Sequence, residues 1–191
     1  MGIGKFLVVL MAGALAGCAG SGGLKVSSGE RYDITANVNE TYLLGSGDKV
    51  RVTVYGEPNL TGEFAVAADG TLSLPLVGDV PAAGKTTRLV ADEFAKKLSD
   101  GFLANPNVAM EVSAYRPFFI LGEVNTPGQY PYVNGMTAMN AIATAGGYTP
   151  RATRKVIFIR KFGEAAETEY DLKSTLRIMP GDTIRLGERY F

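Results

Sequence analysis

Five acidic side chains stand where carboxylates could do chemistry. Asp48, Asp69, Asp79 and Asp182 each adjoin a glycine, and Glu123 lies in the apolar run 118–124. Two carboxyl groups set roughly 5–10 Å apart across a sugar-binding cleft would make a glycosidase pair. Such a cleft normally carries aromatic platforms, and the chain of 191 residues has no Trp. An Asp beside a Gly more simply accepts hydrogen bonds from turn backbone, and Glu123 is expected to do the same for the Pro127-Gly128 turn. With no His and one Cys, the chain can form neither a Ser-His-Asp nor a Cys-His unit. An imidazole metal site, an internal disulfide and a thiolate zinc cluster are excluded too. Gly45-Ser46-Gly47 precedes a strand and lacks a third glycine, so it is neither a dinucleotide fingerprint nor a P-loop, and no cofactor or metal is expected. Nineteen basic and nineteen acidic residues cancel, which argues against nucleic-acid binding, since that needs a basic excess to displace counterions. The expectation is a binding or structural protein, not an enzyme.

The one Cys suits another chemistry. Lys5 precedes an apolar stretch, residues 6–16, and small residues follow. The stretch falls short of the about 20 apolar residues a spanning helix needs and fits a signal-peptide core. Leu15-Ala16-Gly17-Cys18 resembles a bacterial lipobox, with small residues at the cut and a thiol to acylate. Residues 1–17 are expected to be removed, Cys18 to carry lipid, and residues 18–40 to act as a tether. Ala19, where an Asp would commonly retain a lipoprotein at the inner membrane, points by analogy to the outer membrane, facing the periplasm.

The elements around these residues read as an α+β chain of two small modules. Val50, Val52 and Val54 alternate with Arg51 and Thr53, the period of a half-buried strand. Residues 64–66 and 71–76 flank Asp69-Gly70 as a hairpin, and Gly78-Asp79 reads as a further turn. A helix is expected over 87–100, with Leu89, Val90, Phe94, Leu98 and Phe102 on its apolar side and Gly101 at its end. A strand over 108–112 closes the first unit, residues 41–115. In the second, residues 116–191, strand 118–124 leads to the Asn125-Thr126-Pro127-Gly128 turn. A short helix from Thr137 to Ala145, ended by Gly146-Gly147, and strands 156–159, 168–172 and 183–186 complete a β-grasp-like module. At the junction, Phe119 is expected in the core, while Tyr115 and Phe118 are open to either module or a neighbouring subunit. Gly47-Asp48 and Pro180-Gly181-Asp182 echo each other, each a Gly-Asp turn launching an alternating strand; two turns of one type account for that.

Charge is patterned. Arg151, Arg154, Lys155, Arg160 and Lys161 form a basic segment, followed by acidic Glu164, Glu167, Glu169 and Asp171. Three readings stand open: solvated strand edges charged against unwanted pairing, a head-to-tail subunit contact between basic and acidic faces, or a basic lumen attracting an acidic polysaccharide.

The motifs converge on a family. Residues 42–50 (YLLGSGDKV), Val54-Tyr55-Gly56-Glu57, Ala68-Asp69-Gly70 and Leu74-Pro75-Leu76-Val77-Gly78 resemble, in order, the bacterial polysaccharide-export domain. Leu121-Gly122-Glu123-Val124, Pro127-Gly128-Gln129-Tyr130, Ala145-Gly146-Gly147 and Met179-Pro180-Gly181-Asp182 resemble the soluble ligand-binding β-grasp (SLBB) module that follows it. The resemblance implies an outer-membrane lipoprotein that assembles as a homo-oligomeric ring. It would carry capsular or exopolysaccharide outward from an inner-membrane polysaccharide co-polymerase. Long members of the family end in an amphipathic pore helix, for which nothing follows here after the last expected strand. A periplasmic ring or adaptor working with a separate outer-membrane pore protein is therefore expected. The competing expectation is a monomeric periplasmic lipoprotein that binds a saccharide or other ligand.

Overall fold

The computed structural model describes residues 42–189. Cys18 and the segments read as leader (1–17) and tether (18–40) lie outside the described residues.

In β1 (Lys49–Val54) the three valines are buried and the residues between them exposed, as the pleat requires. β1 is the middle strand of an antiparallel sheet, between β2 (Gly62–Ala65) and β5 (Val108–Ala114). A separate hairpin pairs β3 (Thr71–Leu74) with β4 (Gly78–Pro81). Helix α1 (Thr87–Ser99) begins at Thr86, whose hydroxyl accepts the Leu89 N–H. Val90, Phe94 and Leu98, one turn apart, close the core over the β1 valines.

Three expectations fail in this domain. The Asp69-Gly70 turn forms, but the strands beside it belong to different sheets: β2 pairs with β1, and β3 with β4. Leu76 takes a positive φ of 67° and ends the run after Leu74, so Gly78-Asp79, expected as a turn, opens β4. Leu89 lies off the Val90-Phe94-Leu98 line, Phe102 continues that spacing but falls beyond the end of α1 at Ser99, both are half exposed, and Ala91 packs inward instead.

The second domain contains β6 (Phe118–Gly122), β7 (Gly128–Tyr130), α2 (Ala138–Thr144), β8 (Val156–Arg160), β9 (Thr168–Asp171) and β10 (Thr183–Leu186). The sheet order is β7-β6-β10-β8-β9, with the first and last strands of the module side by side and parallel at the centre. One helix packs its Ala138, Ala141 and Ile142 against Ile120, Ile157, Ile159 and Ile184 on one face of that sheet. This is a β-grasp arrangement, and the α+β expectation holds for both modules. α2 is started by a capping box, Thr137 with Asn140. Gly122 ends β6 at φ 85°, where an added Cβ would stand 2.0 Å from the Leu186 carbonyl oxygen. At the start of β6 the expectation of a core Phe119 fails, and Phe118, left open, takes the core position. Phe118 is fully buried and stacks near Tyr130, whereas Phe119 is 41% exposed on the sheet face opposite α2.

Candidate functional site: the domain junction and a basic groove

β5 ends at Ala114 and β6 begins at Phe118, so the three residues between them form the link between the domains. Tyr115 stands edge-on between Tyr42 of the first domain, at 5.0 Å, and Tyr132 of the second, at 5.4 Å. Arg116 binds both sides. Its backbone N–H donates to Asp48 Oδ1 (2.8 Å), its Nη1 to Asp48 Oδ2 (2.9 Å) and its Nε to the Pro180 carbonyl (3.0 Å). Its guanidinium carbon lies 4.6 Å from the centre of the Phe162 ring. Asp48 also accepts from the Gly45 N–H (2.8 Å) and the Tyr42 hydroxyl (2.6 Å). Burial, reinforced by the bond to Asp48, pushes the Tyr42 phenol far above its ordinary value. A buried carboxylate is tolerated only when its lone pairs are filled in this way.

The two Gly-Asp turns prove to be one geometry used twice. Asp182 Oδ2 accepts the Met179 N–H at 2.8 Å, as Asp48 does that of Gly45, each three residues back. Both aspartates are buried. One turn comes from each domain and both touch Arg116: a Cβ on Gly181 would stand 2.8 Å from Arg116 Nε, and one on Gly47 would stand 3.5 Å from Arg116 Cβ. Sequence reasoning does not single out Arg116. Its one signal is a cation set within an aromatic stretch, Tyr115-Arg116-Pro117-Phe118-Phe119.

The other singled-out residues are dispersed. Asp69 accepts from the Thr71 N–H and hydroxyl, which hold its carboxyl below the usual range, and Gly70 follows in the same turn. Asp79 accepts from the Ser73 hydroxyl across the β3–β4 pair. Glu123 takes the Thr149 hydroxyl rather than the Pro127-Gly128 turn, because Gly122 redirects the chain toward residues 148–149. Gly128 opens β7 behind Pro127, and Gly146 and Gly147 follow α2 at positive φ. Each candidate carboxylate is engaged in hydrogen bonding: Asp48, Asp69 and Asp182 with turn backbone, Asp79 and Glu123 with a hydroxyl.

The charged segments lie on and beside β8 and β9, adjacent strands, with β9 at the sheet edge. The acidic side is partly neutralised within the chain. Glu167 accepts from Arg185 Nη2 (2.6 Å), and Glu164 lies 3.6 Å from Lys161 Nζ. Arg151 Nε donates to Glu188 (2.8 Å) and Arg160 reaches the Thr183 hydroxyl (3.3 Å). Arg154 lies over the Tyr148 ring at 5.1 Å. Arg154 and Lys155 form no ion pair among the described residues. Both line an open groove of about 870 Å³, whose lining also includes apolar Val156 and Phe158, the latter beneath the Arg185 guanidinium. Among the described residues no helix is long and apolar enough to cross a membrane.

Comparison with known proteins assigns both modules. Residues 36–113 match the family model described as polysaccharide biosynthesis/export protein, and residues 117–170 match the SLBB domain. The exopolysaccharide production protein ExoF of Rhizobium meliloti is 40% identical over 120 residues, 56% of this chain and 28% of ExoF. The polysialic acid transport protein KpsD of Escherichia coli is 27% identical over 179 residues, 87% of this chain and 32% of KpsD. The EPS I polysaccharide export outer membrane protein EpsA of Ralstonia solanacearum is 33% identical over 111 residues, 56% of this chain and 29% of EpsA. The aligned regions thus span only 28–32% of the length of these relatives.

Proposed function

We propose, because residues 36–113 match the polysaccharide biosynthesis/export model and residues 117–170 the SLBB domain, that the chain serves in export of capsular or exopolysaccharide. In this reading it is a non-catalytic lipoprotein, anchored through Cys18 to the outer membrane and facing the periplasm, that assembles as a homo-oligomeric ring or adaptor. The polymer reaches it from an inner-membrane co-polymerase. The observation that carries the reading is the joining of the two domains through Arg116. A ring subunit must hold its modules at a fixed angle, since a heterologous interface closes only for one rotation. The buried Asp48–Arg116 contact and the Tyr42–Tyr115–Tyr132 stack supply that rigidity.

The groove on the second domain favours a second reading, a monomeric ligand-binding lipoprotein. Sedimentation of the detergent-extracted full chain separates the two. A large homo-oligomer with a central opening in negative-stain images supports the ring, and a monomer at all concentrations overturns it.

A further inference from the structure

The groove beside β8 is lined by more bases than acids. Arg154, Lys155, Arg185 and Arg189 line it, against Glu188 alone among acids. Glu188 is engaged by Arg151, and Arg185 by Glu167. Arg154 and Lys155 remain exposed and without a carboxylate among the described residues. In the acidic stretch, Glu164 and Glu167 are already paired with Lys161 and Arg185 of the same chain. A head-to-tail contact would need those acids for a neighbour's bases. The imbalance instead leaves the basic groove for an external anion.

We propose that this groove binds a carboxylate-bearing saccharide, a short stretch of uronic-acid polymer. The proposal rests on the export reading and names the class of polymer handled. Arg154, held over the Tyr148 ring, presents a planar fork that matches a carboxylate. Lys155 beside it adds a second positive charge. Val156 adds apolar lining and Phe158 carries the Arg185 guanidinium over its ring at 4.1 Å, and about 870 Å³ lies within the about 300–1,000 Å³ of small-molecule sites. The groove is open, as a polymer that must slide requires.

The test titrates the detergent-extracted full chain with trigalacturonate and, separately, with neutral maltotriose, by calorimetry at low and physiological salt. Trigalacturonate should bind, more weakly as salt rises, and maltotriose should not. The double variant R154E/K155E should lose about tenfold or more in affinity while keeping the wild-type melting temperature and oligomer size, since both side chains are exposed. Equal binding of the two sugars, no binding of trigalacturonate, or unchanged affinity in R154E/K155E overturns the proposal. So does break-up of the oligomer in that variant, which would give the basic segment to a subunit contact. Binding with no export defect on gene deletion removes the export reading and leaves the groove. Lost export on deletion with no trigalacturonate binding removes the groove alone.

Discussion

Arg116 Nη1 lies 2.9 Å from Asp48 Oδ2, an ion pair that spans 68 residues and joins the two domains. The Asp48 side chain is wholly buried and that of Arg116 is 14% exposed. Removing one member of such a pair strands the other charge in a low-dielectric site.

Arg116→Ala should therefore cost about 3–5 kcal/mol, read by denaturant unfolding. Arg51→Ala, which breaks pairs to Glu63 and Glu111 that are more than half exposed, should cost about 1 kcal/mol or less. Equal losses in the two variants would contradict the central place given to Arg116.

The Tyr42 hydroxyl donates to the same carboxylate, and its folded pKa is raised above the ordinary 10.0. A raised pKa contributes stability that is fully present below pH 10.0 and is lost as pH climbs toward the folded value. Wild-type stability should fall above pH 10.0. Tyr42→Phe should be weaker by about 1–2 kcal/mol at neutral pH and show a shallower alkaline decline. Parallel pH profiles for the two proteins would contradict this.

Gly122 and Gly147 share a positive φ, 85° and 87°, but not surroundings. Gly147→Ala meets no atom within 4 Å and should cost only backbone strain, about 1–2 kcal/mol. Gly122→Ala drives its Cβ into the Leu186 carbonyl and should cost about 3 kcal/mol or more. Thermal melts of the two proteins give the comparison; a Gly122→Ala as mild as Gly147→Ala would show that β6 and β10 can separate freely.

Cys18→Ala should abolish incorporation of labelled palmitate and release the protein from membranes. Labelling that survives the substitution would place the lipid elsewhere.

Much of this was legible in the residues. Strict alternation gave β1 its buried valines, and the helix-capping signals at Thr137 and Gly146-Gly147 bounded α2 closely. Where the side-chain pattern carries no period, local sequence does not fix which face is buried. Residues 118–121 are all apolar, so nothing local says that Phe118 goes in and Phe119 out; the β6–β10 register and the helix behind the sheet decide it. The Asp69-Gly70 dipeptide specifies a turn but not a hairpin, because pairing depends on partners as distant as β5. The Gly-Asp echo was visible, and turn chemistry does account for it. That both turns close on Arg116 was not, since the contacts reach across 64 and 68 residues. The charge segments could be seen but not their partners, and it is the partners that separate Glu164 and Glu167 from Arg154 and Lys155.

Deletion of the gene, with surface and secreted polysaccharide measured against a strain complemented by the wild-type chain, tests the export role most directly. Loss of polysaccharide outside the cell, restored by the wild-type chain and not by Arg116→Ala, is the predicted result. Undiminished export from the deletion strain, in a background without a second copy of this domain pair, would contradict it.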